Sequence, residues 1–187
     1  MLRPVISMVA IMCLFTLAAA DAKTLKPWDP TAIGSAVTLA DIDTLQQAVT
    51  DAWTEMPLTV RRVMFVTEKA PLPGAYSRRP TNVFKAGEKL LTYIEPVGYT
   101  WTQQGDMFHF GAIVDFVIKG ADGKILGGQE NFAKLSLASR TKLQEFMINL
   151  TMSLDGITTG KYVLEYKLHD LGSEKTVVVD QPFEIAG

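Results

Sequence analysis

Cysteine is almost missing from this 187-residue chain: Cys13 is the only one. Histidine is nearly as scarce, with His109 and His169 alone. No disulfide can form within the chain, and no structural zinc site can be built from two histidines and one thiol without carboxylate help. No Gly-x-Ser-x-Gly elbow is present, which removes the most recognisable nucleophile motif. No Asp-x-Asp-x-Asp calcium loop occurs, and no glycine-rich loop leads into a helix to cradle phosphate. Charge of either sign is not in excess: 18 basic residues face 20 acidic ones. That balance gives no global attraction for nucleic acid, so none is expected as a partner.

What is present at the start is a leader pattern. Met1-Leu2-Arg3-Pro4 carries one positive charge, Val5–Leu17 is an apolar run broken only by Ser7 and Thr16, and Ala18–Ala22 is built mostly of small residues. This predicts a secretory signal peptide over residues 1–22, cut after Ala20 or Ala22. The run is short of the roughly 20 apolar residues that span a bilayer. Cleavage removes Cys13 and Arg3 and leaves a periplasmic or secreted chain of about 165 residues, large enough for one cysteine-free core. No later segment reaches membrane-spanning length, so the mature chain is expected to contain no transmembrane segment.

Residues 23–37, with two prolines and Trp28, read as an extended lead-in. A helix is expected next. Thr38 and Asp41 resemble an N-capping pair, and Leu39, Ile42, Leu45, Val49, Ala52, Trp53 and Met56 recur at three- and four-residue spacing up to Pro57. Trp53 and Leu45 are expected to pack on the rest of the protein; the other reading makes the stripe itself a docking surface. From Leu58 onward the period is two. Strands are expected at Leu58–Glu68, Asn82–Lys85, Lys89–Glu95, Tyr99–Gln103, Met107–Lys119, Ile125–Leu137, Phe146–Leu154, Tyr162–His169 and Val177–Ile185. Asp122-Gly123 marks a hairpin, Gly127-Gly128 a bulge or bend, and Pro96-Val97-Gly98 a break. The predicted organisation is a leader (1–22), a lead-in and helix (23–57) and a β domain (58–187). The predicted fold is mainly β: an antiparallel β-sandwich of about seven strands with one N-terminal amphipathic helix.

The stretch from Leu154 to Leu164, with Gly160-x-Tyr162, resembles the turn into the sixth strand of fibronectin-III-like and immunoglobulin-like domains. The resemblance implies that the Tyr162 hydroxyl bonds back to the preceding loop, and that the fold is a disulfide-free sandwich of that kind. Such sandwiches serve many functions, so function rests on the sites.

Two candidate sites stand out. Arg78 and Arg79 lie paired in a proline-stiffened loop, and their forks suit carboxylate or phosphate groups; solvated pairing with Glu68 or Glu88 is the plainer use. Tyr99 and Trp101, followed by Gln103, could form an aromatic platform for a sugar ring; core filling is the plainer use. His109 and His169 read as exposed strand residues with no catalytic role. No cofactor, metal or catalytic residue is expected. The sequence is therefore read as a non-enzymatic binding or scaffolding protein of a bacterial envelope, partnered by another envelope protein or a glycan. A carbohydrate-binding module and an enzyme are the alternatives.

Overall fold

The computed structural model describes residues 37–187. The leader over 1–22, with Cys13, and the lead-in around Trp28 lie outside the described residues. Leu39–Gly187 forms one compact unit, so the helix belongs with the strands. About half of the described residues are strand, and one helix accompanies them.

Helix α1 spans Leu39–Glu55. Asp41 lies in its first turn, where a negative charge complements the helix dipole. The hydroxyls of Thr44, Thr50 and Thr54 donate to the carbonyls four residues back. These local bonds satisfy polar groups that β-branched residues would otherwise turn against the helix. Pro57 prevents continuation.

Nine strands follow: β1 (Thr59–Phe65), β2 (Val83–Lys85), β3 (Leu90–Val97), β4 (Thr102–Gln104), β5 (Met107–Gly120), β6 (Ile125–Ser139), β7 (Ile148–Met152), β8 (Gly160–Asp170) and β9 (Thr176–Ala186). The smaller sheet has the order β1-β3-β7. The larger, curled sheet has the order β2-β9-β8-β5-β4, with β6 on β5. All pairs are antiparallel except β2–β9, which is parallel. Ile94, Ile148 and Leu150 from the smaller sheet share one buried cluster with Val114, Leu164, Tyr166 and Leu168 from the larger. The alternation along β8 puts Tyr162, Leu164, Tyr166 and Leu168 inside, while Lys161, Glu165, Lys167 and His169 stay outside.

The structure departs from the sequence reading in three places. Each of the nine expected segments holds a strand, two of them only three residues long, but they form a three-stranded and a six-stranded sheet where a sandwich of about seven strands is expected. The expected break at Pro96-Val97-Gly98 falls at its last residue: β3 runs through to Val97 and stops before Gly98, because Pro96 pairs with Val60 where β1 shifts register, and a bulge tolerates the missing N–H. The bulge or bend expected at Gly127-Gly128 falls one residue away, at Leu126, where Ile118 pairs with Gly127 but Lys119 with Ile125, and a larger one lies at Asn131. Val114 pairs with Ala133 but Phe116 with Gln129, so β6 carries two extra residues there. Asn131 has φ 52°, a left-handed conformation that asparagine tolerates. Its N–H donates to Asp115 Oδ1 at 2.7 Å. Gly128 has another reason to be glycine: a Cβ there would stand 2.6 Å from the Phe116 carbonyl oxygen.

The Tyr162 hydroxyl does donate to the main chain of the preceding loop, at Thr158 O, 2.7 Å away. That is the local bond the turn implies. It is a solution open to any buried phenol beside a loop, and it does not carry a family with it.

Candidate functional site

The C-terminal end of α1 is held by aromatic packing. Trp53 is 5% exposed, and its Nε1 donates to the Tyr99 carbonyl at 2.8 Å. Its ring stands edge-on to Tyr99 at 5.0 Å and stacks on Trp101 at 5.5 Å. Tyr99 in turn stacks on Phe110 and meets the edge of Phe146. Its hydroxyl and the Trp101 Nε1 both donate to Leu143 O. Burial, and then the Glu145 charge, push the Tyr99 phenol well above its ordinary pKa, so it remains a donor.

This corrects the sugar-platform expectation for Tyr99 and Trp101. Tyr99 is 1% exposed and offers no face to a ring, while a face of Trp101 is taken by Trp53. The two aromatics anchor the helix.

A second clamp holds the same end. Lys175 Nζ donates to Met56 O at 2.7 Å, Gly98 O at 3.1 Å and Thr54 O at 3.4 Å. A cation on the last helical carbonyls also suits the negative end of the dipole. The chain passes so close here that a Cβ on Gly98, at φ +77°, would lie 2.3 Å from Pro57 O.

The other end of α1 is different. Leu39 is 76% exposed, Ile42 41%, Leu45 37% and Val49 51%, on the stripe that buries Trp53. Leu45 therefore does not pack against the sheets as the periodicity predicts. A helical stripe turns one way along its whole length, but nothing in the spacing fixes how much of it meets the body. At roughly 100° per residue, Asp41 and Asp43 fall on opposite flanks of the stripe. With Asp51 and Glu55 they give α1 four acidic residues and no basic one.

The remaining sequence candidates are dispersed. Arg79 is half-buried: it pairs with Glu88 at 2.7 Å, donates to Val83 O at 2.9 Å and lies 4.2 Å from the centre of the Phe84 ring. Arg78 is exposed, and its backbone bridges to Val66. His169 is not a solitary surface residue, since its Nε2 meets Asp115 Oδ2 at 2.6 Å. Burial would raise the Asp115 pKa, but the Asn131 N–H and His169 hold it below the usual range. His109 is half-buried in β5 opposite Thr102 and Ala138. Among the described residues no three His, Cys, Asp or Glu side chains group as metal ligands.

One cluster escaped sequence reading. Glu95, buried in β3, accepts from Tyr93 Oη and Arg62 Nη1, each at 2.5 Å. Burial alone would raise its pKa; the bonds from Tyr93 and Arg62, with the arginine charge, keep it lowered. Burial, then the bond to Glu95, pushes the Tyr93 phenol up to about 12. Tyr93 Oη also accepts the Gly74 N–H at 2.8 Å, so the cluster ties the 67–82 loop to the smaller sheet.

No protein-family model matches this chain, and no curated protein does. A similar solved structure is the Pseudomonas fluorescens alkylpurine DNA glycosylase AlkC bound to DNA containing an abasic site analog. The TM-score is 0.39 at 14% identity, over 79% of this chain and 36% of that one. This chain thus spans about a third of that protein's length. The comparisons overturn three expectations. The fibronectin-III-like and immunoglobulin-like resemblance is corrected, since no such family matches and the neighbour is a DNA glycosylase. The envelope binding or scaffolding role, with its carbohydrate-binding variant, and the partner expectation of an envelope protein or glycan and no nucleic acid are not carried forward: no match supports them, and the similar structure is a DNA glycosylase bound to DNA. A likeness of this degree transfers neither fold nor activity to this chain.

Proposed function

We propose that α1 is a docking helix and that the role of the described domain is non-catalytic recognition. The uncovered half of the helix is received by a partner protein whose groove is apolar in its floor and rimmed by lysine or arginine. One observation carries this reading: the face that buries Trp53 to 5% leaves Leu39, nearly four turns earlier, 76% exposed. An amphipathic helix in an apolar groove is a recurrent mode of recognition, read through anchors at three- and four-residue spacing. The charge of α1 selects the rim. Four acids and no base favour a basic surface, and they disfavour a second copy, whose acids would face these. The two sheets with their shared core serve as a two-layered support that holds the helix by one end.

A photo-crosslinking residue at position 45, in the full chain expressed in its own host, is expected to give one discrete adduct. The same residue at Lys161, exposed at the start of β8, gives none. Binding of the identified protein, made pure, weakens about tenfold or more on Leu45→Asp, since burying a leucine is worth about 2 kcal/mol; it weakens further with salt. Adducts equal at both positions, or affinity unmoved by Leu45→Asp, would end the docking reading.

Export is proposed on the leader pattern alone. N-terminal sequencing of material from outside the cytoplasm is expected to begin at Asp21 or Lys23, and an intact Met1 on that material would contradict it.

A further inference from the structure

Two side-chain nitrogens among the described residues are buried and have no acceptor: Nε of Arg79 and Nε2 of Gln181. Both residues line one groove of about 320 Å³, walled by β1 through Phe65 and by the 78–82 segment. Buried donors are nearly always paired in folded proteins, so two on one groove ask for an acceptor.

The orientation of the Gln181 amide is set by its neighbours. Tyr166, fully buried, donates to Thr92 Oγ1 at 3.0 Å, and Thr92 then donates to Gln181 Oε1 at 3.1 Å. Turning the amide over would leave the Tyr166 or Thr92 hydroxyl without an acceptor, so Nε2 is the atom left over. Gln181 is only 6% exposed. The Arg79 head is already engaged by Glu88, Val83 O and the Phe84 ring, which leaves its Nε–H.

The groove wall contains no carboxylate, while Arg78 is exposed and has no ion pair among the described residues. A neutral carbonyl would satisfy a buried donor and leave the Arg78 charge unused. An anion uses both.

We propose that this groove binds a compact oxyanion, a carboxylate or phosphate group, whose oxygen accepts from Gln181 Nε2 and Arg79 Nε while Arg78 supplies the facing charge. The site is independent of α1.

The test follows the Gln181 side-chain amide and the Arg79 Nε–H in ¹⁵N-labelled protein. Acetate, inorganic phosphate and chloride are titrated separately at constant ionic strength. Both signals are expected to shift and saturate with acetate or phosphate but not with chloride. The anion that saturates first identifies the source. Arg78→Ala is expected to weaken that binding about tenfold, the scale of a charge-assisted contact, with the backbone spectrum unchanged; Arg78→Gln, which keeps the bulk, gives the same loss. Signals that ignore acetate and phosphate would mean that water satisfies the donors, and the proposal fails. It fails equally if chloride acts alike, or if neither variant changes the affinity.

Discussion

Trp53→Ala is expected to lower unfolding stability by about 3–5 kcal/mol, the range for truncating a buried aromatic. The substitution removes the ring between Tyr99 and Trp101, and it leaves the Tyr99 carbonyl without its indole donor. A domain of this size has about 5–15 kcal/mol to lose in total, so the urea midpoint should fall steeply. Trp53→Phe keeps most of the packing and loses the N–H, and about 1 kcal/mol of the effect should come from that bond. Protection of α1 amides against hydrogen exchange should collapse in Trp53→Ala before that of β8, because the helix loses its principal anchor. An unchanged midpoint would mean that the helix is not fixed through this residue.

The second large effect is expected at Tyr162. Its ring stacks on Phe183 at 5.4 Å and is 9% exposed, while its hydroxyl donates to Thr158 O. Tyr162→Ala should cost about 3 kcal/mol or more. Tyr162→Phe should cost about 1 kcal/mol, the usual net worth of one hydrogen bond. The pair separates packing from the bond to the loop. If Tyr162→Phe is as stable as the parent, the hydroxyl contributes nothing to holding the turn; if Tyr162→Ala is, the ring is not part of the core.

Much of the strand pattern is legible in the sequence because burial there is strictly two-sided. Tyr162 to Leu168 alternates, and β8 alternates in space. The Arg79–Glu88 pair is legible too, since its partners are nine residues apart across a short turn. Distant pairs are not: Arg62 meets Glu95 and Asp115 meets His169 only once sheets have formed, and no spacing foretells either. Tyr99 and Trp101 show a different limit. An aromatic pair looks the same in sequence whether it faces a ligand or a helix. The stripe on α1 is equally readable as a stripe, but coverage depends on the angle at which Lys175 and the aromatics hold the helix. Gly160-x-Tyr162 correctly implies a bond and says nothing reliable about the family, because a turn of a few residues constrains only itself.

The kink at Asn131 also governs how copies of this chain meet at high concentration. Among the described residues β6 pairs only with β5, so its outer border is an open row of main-chain groups fifteen residues long. A flat border of that length is a template on which further chains polymerise. The two extra residues bend it after Gln129, and Glu130 and Lys134 put opposite charges on either side of the bend. An incoming straight strand can match one half of the border and must then part from it. The Asp115 carboxylate, by holding the Asn131 N–H, fixes the bend that interrupts this open edge.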